Sequence, residues 1–198
     1  MNSMLRIMAA CNRVKPGDPA VCGDSIQELL LGAAPSQPDL VLLPSCALSS
    51  ASCGDLFSSG LLLDAASDQL DRLCSLSAQL GCFLVAGLPL AECGGAVSAI
   101  AVLHAGKLIG LLPDNDPPYG LRHPCSERFL PPDTVFSCGG LRFAVCSGNP
   151  EQLLARAAAL QQTGFDLLLV PSCAPVTAGS TGRCLEAARM VSRSFGCA

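Results

Sequence analysis

Apolar runs alternate along the chain with stretches whose apolar residues recur at helical spacing. The runs predict buried strands, and the stretches between them predict amphipathic helices. Strands are predicted at 4–10, 39–43, 82–87, 141–146 and 166–170, and helices at 25–31 (with Asp24 as the N-cap), 61–80, 150–162 and 183–194. This alternation of strands and helices is typical of an α/β layered fold.

Two more apolar stretches, 97–104 and 108–112, flank the residues Ala-Gly-Lys at 105–107. A glycine-containing turn this short between two strands predicts a β-hairpin. The segment that follows, 113–140, contains six prolines. It is far longer than the usual connection of about 4–6 residues. We therefore expect this loop to be either functional or disordered.

One strand-and-loop sequence occurs twice. Asp-Leu-Val-Leu-Leu-Pro-Ser-Cys-Ala at 39–47 recurs as Asp-Leu-Leu-Leu-Val-Pro-Ser-Cys-Ala at 166–174, and a helix is predicted before each copy. The repeat indicates two similar halves related by a pseudo-twofold axis, in two sheets or in two halves of one sheet. The alternative is that two ordinary helix-to-strand units are alike only in composition.

Composition narrows the class of protein. Of the 198 residues, 50% are hydrophobic and only 14% are charged, whereas an average globular chain carries roughly 25% charged residues. We therefore expect an apolar surface that a partner covers, in a homo-oligomer or against a partner domain. The net charge of −4, with ten arginines, two lysines and no basic run, argues against a nucleic-acid partner. No apolar run approaches the roughly 20 residues that span a bilayer, so no membrane partner is expected.

The pattern of the thirteen cysteines does not indicate a set of structural disulfides. The sequence opens without a signal-peptide pattern, the cysteine count is odd, and no two cysteines stand at Cys-x-x-Cys spacing. We therefore expect reduced thiols that act mostly as small hydrophobic residues, in a soluble cytoplasmic protein. His104, His123 and the scattered cysteines lack metal-ligand spacing, so no metal site is predicted.

Several motifs resemble one enzyme superfamily in their order and spacing. They are Cys-Gly-Asp-Leu-Phe at 53–57, Val-Ala-Gly-Leu-Pro-Leu at 85–90, the strand-turn-strand at 99–110, Ser-Glu-Arg-Phe-Leu-Pro-Pro at 126–132 and the strand 141–146. Together they resemble the nitrilase, or carbon–nitrogen hydrolase, superfamily and, within it, the N-terminal glutaminase (amidohydrolase) domain of glutamine-dependent NAD synthetases. The resemblance covers nearly the whole chain.

The resemblance implies a fold and an activity. The fold is a single carbon–nitrogen hydrolase-like domain over 1–198, a four-layer αββα sandwich that is C-terminally incomplete because the family's last strands have no counterpart. The activity is hydrolysis of a small amide, such as that of glutamine, to supply ammonia. No cofactor is expected. The sequence contains no Ser-Gly-Gly-x-Asp-Ser pyrophosphate loop, so a synthetase-type half would be a partner domain.

The resemblance places the family's nucleophile at Cys146. This residue ends an apolar strand and precedes a Ser-Gly-Asn-Pro turn into a predicted helix. A helix N-terminus close to a thiol lowers its pKa, and the thiolate is the form that attacks an amide carbonyl. The alternative is that Cys146 is one more core cysteine.

The family's charged partners are substituted. Its Glu base falls at Ser45, whose hydroxyl cannot accept a proton at neutral pH. Its Lys falls at Asp114 or, in a second alignment, at Asn115, and a carboxylate there would repel a developing oxyanion and raise the pKa of the thiol. Neither Lys15 nor Lys107 lies in a position to replace it. These substitutions predict that amide hydrolysis is weakened or lost.

Two residues of the 113–140 loop could substitute for the missing base. His123 could pair with Cys146, and Glu127 could serve as an auxiliary acid; the alternative is that both are solvated loop residues. Three hypotheses follow: a hydrolase-derived domain with reduced activity, an active hydrolase with a substitute base, and a non-catalytic scaffold or regulatory subunit.

Overall fold

A computed structural model describes residues 4–173 and 180–198. In that part of the chain the helices are α1 (Pro19–Ala33), α2 (Gly60–Leu80), α3 (Pro150–Thr163) and α4 (Ser180–Phe195). The strands are β1 (Ile7–Ala9), β2 (Leu40–Leu42), β3 (Phe83–Glu92), β4 (Gly95–His104), β5 (Lys107–Pro113), β6 (Val135–Cys138), β7 (Leu141–Val145) and β8 (Leu167–Leu169). Two short 3-10 helices span Ala34–Ser36 and Gly54–Ser58.

The strands form two sheets. The first has the order β1-β2-β3-β4-β5, in which β1, β2 and β3 are parallel and β3, β4 and β5 are antiparallel neighbours. The second has the order β6-β7-β8, in which β6 is antiparallel to β7 and β7 is parallel to β8. The carboxyl ends of β2 and β3 therefore share one edge of the first sheet, and those of β7 and β8 share one edge of the second.

Three apolar clusters separate four layers. One lies between helices α1 and α2 and the first sheet, with Ile26, Leu73 and Leu84 fully buried in it. A second lies between the two sheets and contains Ile100 from β4 and Phe143 from β7. The third lies between the second sheet and helices α3 and α4. The order helix, sheet, sheet, helix confirms the predicted layered α/β sandwich.

The alternation of side chains along single strands explains these layers. In β4, Ala99 and Ala101 pack toward the helices, whereas Ile100 and Val102 between them pack toward the second sheet. Because successive side chains of a strand point to opposite faces, a strand that is apolar at every position must be covered on both faces.

The predicted hairpin is confirmed. Strands β4 and β5 pair through His104 and Lys107, which leaves a two-residue turn. Both turn residues have positive φ, 50° at Ala105 and 79° at Gly106, as a turn that matches the right-handed twist of the strands requires.

The predicted N-cap of the first helix is wrong. Helix α1 begins at Pro19, and Asp18 caps it by accepting a hydrogen bond from the backbone N–H of Val21 at 3.2 Å. Proline suits the first helical position because its fixed φ is already helical and the first N–H has no partner within the helix. Asp24 lies within the helix instead, where it forms an ion pair with Arg72 at 2.7 Å.

The segment 113–140 is only partly a loop. It contains strand β6, which pairs antiparallel with β7 and was not predicted. Within the loop, Arg122 bridges to Val97, and the N–H of Leu130 donates to the carbonyl of Leu111 at 2.7 Å. Backbone hydrogen bonds therefore hold this proline-rich segment against β4 and β5.

No helix in the described residues is long and apolar enough to cross a bilayer. The organisation of 1–198 as one domain, the oligomeric state and the cytoplasmic location remain predictions.

Candidate active site

The predicted site residues follow the ends of strands in both sheets. Ser45 follows β2, Asp114 follows β5, and Cys146 follows β7. Two further thiols, Cys46 and Cys173, follow β2 and β8. The carboxylate of Asp114 lies close enough to Cys46, Cys146 and Cys173 for its negative charge to raise the pKa of each thiol. The charge of the buried Asp114 carboxylate therefore acts on three thiols.

Cys146 is buried, with 3% of its surface exposed. Its backbone N–H donates to the carbonyl of Leu169 at 2.9 Å, and its thiol donates to the carbonyl of Ser147 at 3.5 Å. Burial raises the pKa of the Cys146 thiol to about 11, the charge of Arg156 lowers it, and the charge of Asp114 raises it. The thiol is therefore protonated at neutral pH.

The start of α3 was expected to lower the pKa of Cys146, but the pKa of this thiol is raised. At the start of α3, the side chain of Asn149 accepts from the N–H of Gln152 at 3.0 Å, and the Gln152 side chain accepts from the N–H of Asn149 at 2.9 Å. This capping box already satisfies two of the N–H donors that face outward at the helix start. Burial then dominates the pKa of Cys146.

Ser45 lies in a buried loop that is pressed against β3. The N–H of Gly87 donates to the carbonyl of Pro44 at 3.0 Å, and the N–H of Leu48 donates to the carbonyl of Gly87 at 3.4 Å. A Cβ atom on Gly87 would stand 1.8 Å from the Ser45 carbonyl oxygen, so only glycine allows this approach. The Ser45 hydroxyl hydrogen-bonds the thiol of Cys173 and lowers its pKa.

Asp114 is fully buried and tied to its neighbours. The hydroxyl of Ser98 donates to one carboxylate oxygen at 2.8 Å, and the N–H of Asp116 donates to the other at 3.1 Å. The next residue, Asn115, contacts the segment after the candidate nucleophile, because its N–H donates to the Ser147 hydroxyl at 2.8 Å. The position that the family resemblance gives to a lysine is thus occupied by a carboxylate held in place by hydrogen bonds.

The positive charge of Arg156, in α3, lowers the pKa of Cys146. This role of Arg156 was not predicted. Its signal in the sequence is weak, since it is one of ten arginines and lies on a helix after the nucleophile motif. Lys15 lies in the first loop, paired with Asp18 at 2.9 Å, and Lys107 lies in the β4–β5 hairpin.

The two substitute residues from the proline-rich loop are exposed. His123 contacts Asn115 through Nε2 at 3.2 Å and the carbonyl of Pro124 through Nδ1 at 2.9 Å. Glu127 forms no hydrogen bond or ion pair with the residues that the structure describes. His123 reaches Cys146 only indirectly, by way of Asn115 and Ser147, and within the described ranges no hydrogen bond joins either loop residue to the Cys146 sulfur.

The sequence repeat brings two thiols into contact, which was also not predicted. The sulfur atoms of Cys46 and Cys173, in the two Pro-Ser-Cys loops, lie 3.4 Å apart. The last residue of the second repeat copy, 174, lies outside the described residues. Across 4–173 and 180–198, no three His, Cys, Asp or Glu side chains are grouped as a metal ion would require.

Sequence comparisons agree with the resemblance seen in the motifs. No family model matches the chain. The chain is 30% identical, over 112 residues, to the glutamine-dependent NAD(+) synthetases of Mycobacterium bovis and Mycobacterium tuberculosis. The match covers 57% of this chain and 16% of each relative, so the chain spans about one sixth of the curated relatives that it matches.

Comparisons of structure extend over nearly the whole chain. A glutamine-dependent NAD(+) synthetase from Cytophaga hutchinsonii superposes with a TM-score of 0.78 at 18% identity, covering 98% of this chain and 35% of that one. An amidase from Nesterenkonia sp. superposes with a TM-score of 0.75 at 23% identity, covering 98% of this chain and 74% of that one. Another structure of the amidase is described as belonging to the nitrilase superfamily. The predicted resemblance and the nitrilase-type sandwich are confirmed.

Proposed function

We propose that this chain is a nitrilase-fold domain related to the glutaminase part of glutamine-dependent NAD synthetases, in which amide hydrolysis is weakened or lost. The observation that carries the proposal is the state of Cys146: a buried thiol with a pKa of about 11 that donates to a neighbouring carbonyl. Its partner would be a synthetase-type domain or a second copy of the chain, and its substrate, where activity remains, a small amide.

The protonation of the Cys146 thiol is the first reason to expect a lower rate of amide hydrolysis. A thiol with a pKa of about 11 is ionised in roughly one molecule in 10⁴ at pH 7, against roughly one in 10² for a thiol with a pKa of 9. Because only the thiolate attacks a carbonyl, the burial of Cys146 alone reduces its reactive fraction about a hundredfold.

The lack of a basic side chain at position 45 is the second reason to expect a lower rate of amide hydrolysis. Amide hydrolysis needs a group that takes the thiol proton, gives it to the leaving amine and then activates water, and such help contributes about 10²–10⁴ in rate. The hydroxyl of Ser45 is far too weakly basic to take a thiol proton at neutral pH, and it is already hydrogen-bonded to Cys173.

The negative charge of Asp114 is the third reason to expect a lower rate of amide hydrolysis. The tetrahedral intermediate carries a negative oxygen, and losing one group that stabilises it costs about 10²–10³ in rate. Asp114, at the position that the family resemblance gives to a lysine, carries a negative charge instead and is held by Ser98 and Asp116. The three losses need not multiply, because such groups act as a unit.

Ammonia release tests the proposal. The purified chain, kept reduced with dithiothreitol, is incubated with glutamine, acetamide and propionamide, and ammonia is measured enzymatically. Cys146→Ala removes the candidate nucleophile, and Cys82→Ala removes a buried thiol in the core between α2 and the first sheet as a matched control. We expect the unchanged chain and Cys82→Ala to release ammonia at the rate of Cys146→Ala or only slightly faster. Release that persists in Cys82→Ala and falls by more than about 10²-fold in Cys146→Ala would establish an active hydrolase.

A non-catalytic scaffold or regulatory subunit is the second candidate. Three large apolar residues are almost fully exposed, Met4 at 87%, Leu61 at 84% and Tyr119 at 85%, as expected of a surface that a partner covers. Light scattering after size-exclusion chromatography distinguishes a monomer from a dimer. A dimer that becomes monomeric in Leu61→Glu supports this candidate, and a monomer at all concentrations contradicts it.

A further inference from the structure

The two Pro-Ser-Cys loops lie opposite each other across the two sheets. The first follows β2 in the five-stranded sheet, and the second follows β8 in the three-stranded sheet. Their cysteines, Cys46 and Cys173, are 127 positions apart in sequence, yet their sulfur atoms lie 3.4 Å apart and share a hydrogen bond. No disulfide joins them in the structure, in which both are free thiols.

We propose that Cys46 and Cys173 form an oxidisable dithiol that closes to a disulfide between the two sheets when a peroxide reaches it. A disulfide has a sulfur–sulfur distance of about 2.05 Å, so the two sulfur atoms, now 3.4 Å apart, need to approach by little more than an ångström. This inference concerns a modification of the site and does not depend on amide hydrolysis.

The two thiols are unequal, and the inequality assigns their roles. Cys46 is buried, and its hydrogen bond with Cys173 together with its burial raises its pKa. Cys173 is half-buried, and its hydrogen bonds with Cys46 and with the Ser45 hydroxyl lower its pKa, although its own burial and the charges of Asp114 and Asp116 oppose this. A more exposed thiol whose anion is stabilised reacts first with a small oxidant.

The reaction proceeds in two balanced steps. The Cys173 thiolate attacks one oxygen of hydrogen peroxide, the O–O bond breaks, and hydroxide leaves and takes up a proton as water, which leaves a sulfenic acid on Cys173. The Cys46 thiol then loses its proton and attacks the Cys173 sulfur, the S–O bond breaks, and a second water leaves. Two thiols are oxidised, and one peroxide is reduced to two waters.

Cys146 serves as an internal reference for the selectivity of this reaction. It is also near Asp114, but burial raises its pKa to about 11 and no thiol shares a hydrogen bond with it in the described part of the chain. At pH 7 we therefore expect hydrogen peroxide to consume Cys173 at least about tenfold faster than Cys146.

Mass spectrometry of the full chain after stepwise addition of hydrogen peroxide tests the proposal. We expect the mass of the chain to fall by that of two hydrogen atoms and a peptide that links Cys46 to Cys173 to appear. Dithiothreitol should reverse both changes. Cys173→Ala and Cys46→Ala should each abolish the linked peptide. Cys82→Ala, which removes a buried thiol in the core between α2 and the first sheet, should leave it unchanged.

Circular dichroism establishes that the variants fold, and Cys173→Ser provides a second, smaller change at the more exposed position. Linked peptides that join other cysteines, or sulfinic acids on Cys46 and Cys173 without a link between them, would overturn the proposal. Because this experiment reports on sulfur atoms and the ammonia assay is run under reducing conditions, either proposal can fail without the other.

Discussion

Gly87 allows the loop that carries Ser45 to lie against β3. A Cβ atom at this position would stand 1.8 Å from the carbonyl oxygen of Ser45 and 2.3 Å from its Cα atom. The obstacle is backbone rather than a flexible side chain, so Gly87→Ala must displace the loop or the strand. The displacement needed to restore ordinary contact is about 1.6–2.2 Å.

The cost follows from what the displacement breaks. Overpacking a well-filled site costs about 1–3 kcal/mol. The loop also has backbone hydrogen bonds to β3 through Pro44 and Leu48, and each contributes about 1 kcal/mol. Together these give a predicted loss of about 3–5 kcal/mol in the free energy of unfolding for Gly87→Ala.

Urea denaturation measures this loss. With a slope of about 2 kcal/mol per molar urea for a chain of this size, the midpoint should fall by about 1.5–2.5 M. Gly32→Ala is the matched control, because Gly32 lies exposed in α1 with no atom within 4 Å of an added Cβ. There we expect a gain of about 0.5–1 kcal/mol, since alanine favours a helix over glycine. A Gly87→Ala midpoint within about 0.3 M of the unchanged protein would refute the close approach.

Two further predictions concern the ionisation of Cys146. The folded-state pKa of Cys146, about 11, lies above the ordinary value of 9.0. Its contribution to the free energy of unfolding, about 3 kcal/mol, is therefore complete below pH 9 and lost as the pH rises from 9 to 11. Between pH 8 and pH 10.5 the urea midpoint should fall less in Cys146→Ala than in the unchanged protein, and an equal fall in both would contradict the raised pKa. Asp114→Asn should speed alkylation of Cys146 by iodoacetamide at pH 9 and Arg156→Gln should slow it, each by about two- to fivefold, and changes in the same direction would show that the two charges do not act on this thiol.

The layers and most elements could be predicted from the sequence because their patterns are strong. The helix predicted at 61–80 is observed at Gly60–Leu80, where buried leucines recur at helical spacing and Gly81 ends the helix with a positive φ of 66°. The hairpin of β4 and β5 was predicted because its turn requires the glycine that the sequence provides.

The start of α1 and strand β6 were missed for different reasons. Asp18 and Pro19 form a normal helix start, but the apolar periodicity becomes regular only later, near Ile26. Strand β6 is four residues long and follows a proline-rich loop, and its pairing with β7 is a tertiary contact that no local pattern encodes.

The candidate site was predicted in part. The strand-end positions of Ser45, Asp114 and Cys146 agree with the motifs, and the family roles given to these three residues stay predictions. The burial that raises the pKa of Cys146 could not, since it depends on two sheets packing together. The contact between Cys46 and Cys173 had a signal, the repeated Pro-Ser-Cys, but sequence alone does not show that the two loops face each other.

The pKa of Cys146 in the folded chain tests the account most directly. Alkylation by iodoacetamide, followed at the peptide that contains Cys146 from pH 6 to pH 12, reports the ionised fraction of this one thiol. We predict a rate that rises about tenfold per pH unit and levels off near pH 11. A rate that already levels off below about pH 8 would mean that the folded protein ionises this thiol at neutral pH, and the protonation of Cys146 could then not account for weakened hydrolysis.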